Sequence, residues 1–351
     1  EKWFCSNANA EIIFALARTN EDRAGTRGLS IFMIEKTRPD GSPNPLGMVR
    51  LKDKLGVRSM ASAECKLNNT VGKLVGNEFE GFKVMAEMIN LSRLYNSVAA
   101  LSTARRALVE AFQFLVNRKT FGKKAIEHVL IREKLYELGS LHIANFYLTW
   151  KAIETLDAAD SGNEEAQELI RFLTPMVKKW SAEKGVYIVR ESMELMGGIG
   201  YIEDGVMPKL MRDIMVLPIW EGAGNIMILD MLRASQKSNG LAVMLAEIEK
   251  SVEESDEHRE LMARVLRNLK TKLGSMSSME GDQLQLTASV LFQKLTTLYQ
   301  MTVLIQNQTE NSKSWIKPAL KYLSDLLEPN GEIERSTLSV EEVRCLIAWA
   351  I

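Results

Sequence analysis

The sequence is poor in the residues that staple or metallate a fold. It holds 3 cysteines and 3 histidines in 351 residues. Cys5, Cys65 and Cys345 lie far apart, so neither a disulfide framework nor a Cys/His zinc spacing can be drawn from them. An odd, sparse cysteine count points instead to reduced thiols and an intracellular, cytoplasmic setting, and no metal is expected. Neither sign of charge is in excess: 44 Lys plus Arg face 45 Asp plus Glu, a net charge of −1. Nothing global therefore draws the chain to nucleic acid or to an anionic membrane. No apolar run approaches the length of a membrane span, so no membrane partner is expected. There is no internal repeat and no low-complexity tract. The chain opens at Glu1-Lys-Trp-Phe without an initiator Met, and a signal peptide cannot be judged from such a start.

What remains is ordinary for a globular protein: 46% apolar and 25% charged residues, with length enough for two domains and a large core. Residues 1–75 read as β. Ile12–Ala17, Leu29–Ile34 and Ala61–Leu67 are short apolar or alternating runs, separated by Gly25, Pro39-Asp-Gly41 and Pro43-Asn-Pro45. From about Glu78 helical spacing takes over. Val84, Met85, Met88 and Ile89 form one apolar stripe, and a second helix is expected from about Leu94 to Asn117. Arg118 to Lys124 reads as a polar break. Helices follow over about 129–159 and 164–196, with Pro175 expected to kink or interrupt the latter. Ala234–Gly240 reads as a linker, followed by a helical block to Ile351 with breaks at 274–282 and 328–331. The expected fold class is α+β: a partial antiparallel β-domain (1–75), an up-and-down helical bundle (76–235) and a helical extension (236–351).

The chemistry concentrates at Pro218-Ile-Trp-Glu-Gly-Ala-Gly-Asn225. A carboxylate, Glu221, stands between an apolar run and a glycine turn, where desolvation raises a pKa toward a general base's working range. Gly222 and Gly224 let backbone approach a ligand closely, and a helix start follows. Taken alone, these residues favour a helix-preceding turn with a solvated glutamate. Gly198-Ile-Gly200 lacks the third glycine of a dinucleotide fingerprint and follows a helical stretch rather than a strand. It reads as a helix C-cap, with Gly197 or Gly198 at positive φ.

Three motifs in order change the weighing. They are Arg118-Lys-Thr-Phe-Gly122, Glu194-Leu-Met-Gly-Gly-Ile-Gly-Tyr201 with Pro208-Lys-Leu-Met-Arg-Asp213, and Ile219-Trp-Glu-Gly222. Together they resemble the acyl-CoA dehydrogenase family, and within it the AidB-like branch. The resemblance is dense from Lys2 to about Arg233 and loose beyond.

It implies an FAD-dependent α,β-dehydrogenation of an acyl-CoA thioester, with Glu221 as base. Arg118 and Phe121 would reach a neighbouring subunit's FAD, the arginine on pyrophosphate and the phenylalanine near adenine, which implies a homo-oligomer, a dimer or tetramer. Phe4 would pack on the flavin ring and Ser6 touch its edge. Glu194, Gly197 and Gly198 would lie near the cofactor's pyrophosphate or adenine end. Ala223 and Asn225, at further cofactor-contact positions, replace the commoner Thr and Gln. Arg93 and Gly222 would shape the substrate site. Ser92 stands where one branch takes its base, so Glu221 has no competing carboxylate by this alignment. An electron-transfer flavoprotein or a similar acceptor is the implied redox partner. The family's N-terminal helical domain and first strands are expected to precede Glu1. AidB-like proteins are also linked to nucleic-acid protection through a basic C-terminal region. Here residues 236–351 carry 13 basic against 16 acidic side chains, so DNA is not the expected partner. The other rival is a degenerate site that binds acyl ligand without turnover.

Overall fold

The computed structural model describes residues 2–4, 6–329 and 337–348. Cys5 and parts of the expected 328–331 break and C-terminal helical block lie outside them. The chain divides into two compact units, Glu1–Ser92 and Arg93–Ile351.

The first unit is built of two three-stranded antiparallel sheets. One orders β1 (Lys2–Phe4), β5 (Ala63–Leu67) and β4 (Leu46–Leu51); the other orders β2 (Ile12–Arg18), β3 (Leu29–Glu35) and β6 (Lys73–Val75). Alternation sets the register of β2 against β3. Ile13 faces Ile34 across the pair, both buried, while Ile12 and Phe14 point outward. Strands β4 and β6 add to the three runs expected from sequence. Ser6 lies beyond the end of β1.

Helix α1 (Gly81–Asn117) is continuous. The two expected helices are one, because Asn90-Leu-Ser-Arg93 contains no breaker. Ser97 instead returns its hydroxyl to the Arg93 carbonyl at 2.9 Å. A short hairpin follows, β7 (Lys119–Thr120) and β8 (Lys123–Lys124). Next come α2 (Val129–Asp160) and α3 (Glu164–Leu195), capped by the Asn163 side chain, which accepts from the Ala166 N–H at 2.9 Å. The expected interruption at Pro175 does not occur. Leu173, Thr174, Met176 and Val177 are buried around it, and packing outweighs a penalty of about 3 kcal/mol for an interior proline.

The rest is helical: α4 (Gly198–Tyr201), α5 (Met207–Ile214), α6 (Gly224–Lys237), α7 (Gly240–Glu254), α8 (Arg259–Ser275), α9 (Gly281–Gln306), α10 (Lys313–Leu327) and α11 (Val340–Ala348). The expected linker at 234–240 shrinks to Ser238-Asn239, since Ala234–Lys237 complete α6. Helices α7 to α11 share one core with α2, α3 and α6, through Phe172, Met231, Met244, Phe292 and Leu346 among others. Phe172 and Phe292 meet edge to face at 5.5 Å.

A second cluster matters more for function. Ala100 and Ala107 of α1, Ala182 and Val189 of α3, and Ile214 and Leu217 pack together. Ala100, Ala107 and Ala182 are small, and a Cβ on Gly185 would come within 3.3 Å of Ala100. So α1 and α3 run close, and Leu217 fastens the segment after α5 onto both.

Candidate active site

After α5 the chain does not form a strand or helix over Val216–Trp220. It folds into successive turns, with the Ile219 and Trp220 N–H groups both donating to the Val216 carbonyl at 2.9 Å. Glu221 then adopts φ 57° and Gly222 φ 109°. A non-glycine residue held at positive φ costs about 1–3 kcal/mol and persists only where its surroundings impose it.

The surroundings are three side chains from two helices. Arg93 and Asn96, three apart on one face of α1, reach the turn together. Arg93 Nε donates to the Glu221 carbonyl at 3.0 Å, and its Nη2 pairs with Asp230 Oδ2 of α6 at 2.8 Å. Asn96 Nδ2 donates to the Leu217 carbonyl at 2.9 Å and the Trp220 carbonyl at 3.4 Å. From α3, Lys178 Nζ donates to the Pro218 carbonyl at 3.1 Å and to the Gly222 carbonyl. Side chains thus take the carbonyls of residues 217, 218, 220, 221 and 222.

Glu221 is half-buried. Burial raises its carboxyl above the ordinary range, while the Arg93 and Lys178 charges pull it back. Lys178 is fully buried. Burial first, then repulsion from Arg93, pushes its ammonium down to about 8, offset by Glu221 and Glu183. The Glu221 backbone N–H donates to no group among the described residues. Gly222 has a local reason to be glycine. Its φ is 109°, and an added Cβ would lie 2.6 Å from Met227 Cε and 3.6 Å from Arg93 Nη2. Sequence reading reached Glu221, Gly222 and Arg93 but missed Lys178, Asn96 and Asp230. The Lys178 signal was present: it falls among Thr174, Val177, Ser181 and Gly185, a buried face of α3.

The other expected residues lie elsewhere. Ala223 is the exposed N-cap of α6, with no side-chain cap bond, and Asn225 is exposed in its first turn. Arg118 and Phe121 sit at the far end of α1, about 37 Å of helix from Arg93 at 1.5 Å per residue. The expected polar break there is a hairpin, with Phe121 at φ 50° and Gly122 at φ 82°, both positive as a type I′ turn requires. Arg118 is exposed and its guanidinium has no partner among the described residues; Phe121 is 97% exposed and meets the His128 ring edge to face, with centroids 6.1 Å apart. Glu194 is exposed and paired with Arg190 at 2.8 Å. Gly197 ends α3 at φ 63°, ψ −146°, a combination open essentially to glycine, and Gly198 begins α4. Around both, the space a Cβ would fill is open. Phe4 and Ser6 belong to the other unit. Phe4 is partly buried against Ala8, Ala63 and Ile13, and Ser6 is exposed. Among the described residues there is no His/Cys/Asp/Glu group that could hold a metal, and no helix long and apolar enough to cross a membrane.

Residues 80–236 match the acyl-CoA dehydrogenase C-terminal domain. The chain is 29% identical over 341 residues to acyl-CoA dehydrogenase family member 11 of Caenorhabditis elegans, covering 92% of this chain and 55% of that protein. It is 34% identical over 272 residues to the putative acyl-CoA dehydrogenase AidB of Escherichia coli, covering 78% of this chain and 48% of that protein. Among solved structures, Caenorhabditis elegans ACDH-11 in complex with C11-CoA superposes with a TM-score of 0.84 at 26% identity, over 97% of this chain and 60% of that one. The chain thus spans about half the length of these curated relatives. With its helical domain matched and its relatives aligned across most of its length, the chain belongs to the acyl-CoA dehydrogenase family.

Proposed function

We propose that the protein is an FAD-dependent acyl-CoA dehydrogenase in which Glu221 is the general base. Family membership supports an acyl-CoA dehydrogenase-like oxidoreductase. The observation that carries the finer reading is Glu221 itself: a half-buried carboxyl, its proton affinity raised by burial, on a strained turn held by side chains. Strain of this kind clusters at active sites because geometry there is worth more than stability.

The residues present fit a flavin dinucleotide. Arg118 offers a planar fork, without a partner among the described residues, of the kind that suits pyrophosphate, beside the exposed ring of Phe121. Gly197 and Gly198 leave room for close approach to backbone. A cofactor held by an exposed arginine and aromatic is most readily completed by a second copy of the chain, hence a homo-oligomer. FAD, when bound, supplies the acceptor for the substrate's β-hydrogen.

The chain's own part is the α-proton. The Glu221 carboxylate takes it, and the thioester oxygen gains negative charge. The Glu221 N–H, which has no partner among the described residues, is suited to donate to that oxygen. Arg93 and Asn96 hold the turn so that carboxylate and N–H face one substrate. An electron-transfer flavoprotein or a similar acceptor would collect the electrons, and the setting would be cytoplasmic. The test is direct: the purified protein should be yellow, and anaerobic acyl-CoA should bleach its flavin absorbance. A yellow protein that binds acyl-CoA without bleaching would instead be a binding homologue without turnover.

A further inference from the structure

The charges around the Glu221 turn do not all pair with one another. Arg93 of α1 is matched by Asp230 of α6, and Lys179 of α3 by Glu183 one turn on. Among the described residues two charges are left without a salt bridge: the buried ammonium of Lys178 and the carboxylate of Glu221, which interact electrostatically. Lys178 also bonds a carbonyl on each side of Glu221, at Pro218 and at Gly222. We infer that Lys178 is a positioning residue for Glu221: it ties the two sides of the strained turn together and sets a fixed positive charge against the carboxylate.

The chemistry of the site favours this over packing. A fully buried ammonium carries a large desolvation cost, and an apolar side chain of similar length would fill the volume without it. Two of the three N–H donors go to turn carbonyls, and the third has no acceptor among the described residues. Burial moves the ammonium down only to about 8, so at neutral pH it keeps its charge. An uncompensated cation at this place lowers the proton affinity of Glu221, opposing the burial that raises it. Burial still prevails and the carboxyl stays above the ordinary range, with Arg93 and then Lys178 opposing it. The other charged groups facing the pair, Arg93, Lys179 and Glu183, stay constant in the comparison below.

This inference rests on the reading of Glu221 as base, and its test is chosen to stand apart from that reading. Lys178→Met removes charge and donors; Lys178→Gln removes the charge but keeps two N–H donors. In the full chain labelled with 13C at glutamate carboxyls, the Glu221 signal is assigned by its loss in Glu221→Gln and titrated by NMR without flavin or substrate. Its midpoint should rise by about one pH unit in both variants, as expected when an opposite charge nearby is lost. The acid limb of kcat/KM should move the same way, with kcat lower in Lys178→Met than in Lys178→Gln. An unchanged Glu221 midpoint in both variants would overturn the inference. If Lys178→Met does not fold, the titration of Lys178→Gln decides alone. If Glu221→Gln keeps dehydrogenase activity, the base reading fails, while the Glu221 midpoint still decides the role of Lys178.

Discussion

Replacing Gly222 by alanine isolates how much the active turn depends on backbone geometry. Gly222 stands at φ 109°, where an L side chain is strained wherever it points. Holding a non-glycine residue there costs about 1–3 kcal/mol. The new Cβ would also lie 2.6 Å from Met227 Cε, and Met227 is fully buried. That atom is the end of a flexible side chain, so it moves, at about 0.5–1.5 kcal/mol for an off-rotamer torsion. The expected loss is about 2–4 kcal/mol, read as a lower urea midpoint with unchanged slope. Gly205→Ala is the control, since Gly205 has no positive φ and no atom near its would-be Cβ. Its stability should stay within about 0.5 kcal/mol of the parent. Activity should fall in Gly222→Ala beyond what unfolding accounts for, because Glu221 and Lys178 flank the same peptide. If both alanine variants behave alike, the turn is not strained as described.

Two further outcomes follow from the same geometry. Because burial raises the Glu221 carboxyl, the folded protein binds its proton more tightly than the unfolded chain does. Its stability therefore falls as pH rises from the unfolded pKa through the folded one, and Glu221→Gln, which lacks this loss, should gain on wild type as pH rises above the ordinary carboxylate range; denaturation midpoints that track each other through that rise would contradict this. Arg118→Ala and Phe121→Ser alter exposed groups and should shift stability by no more than about 0.5 kcal/mol, yet sharply reduce retained FAD. Light scattering of a stable monomer that still holds FAD would oppose their proposed role at a subunit interface.

Much of the fold was legible in the sequence because the patterns were strong. Ile12–Arg18 opens with a short unbroken apolar run bounded by turn residues, and α2 and α3 carry long unbroken helical stripes, so type and bounds came out nearly as observed. Strand β4 was not legible: none of its side chains is buried, and Leu46-Gly-Met-Val-Arg-Leu51 has no alternation to read. The Arg118–Lys124 hairpin was hidden for another reason. Its turn uses Phe121 and Gly122, whereas the sequence signal for such turns is Asn-Gly or Asp-Gly. Pro175 does not interrupt α3, because local propensity yields to a buried face. At the site, Glu221 and its glycines taken alone read as a turn with a solvated glutamate; they stood out only through the resemblance carried by the three motifs in order. Lys178 did not, since a lysine beside Lys179 reads as solvated unless its place on a buried helix face is counted.

The central claim is that Glu221 removes the α-proton, and anaerobic stopped-flow mixing of flavin-loaded protein with acyl-CoA tests it most directly. Wild type and Glu221→Gln are compared at equal bound flavin. Loss of a general base lowers such rates by about 10²–10⁴-fold, so the variant should stay yellow, bind acyl-CoA, and bleach slower by that factor. Bleaching of Glu221→Gln at near the wild-type rate would contradict the account.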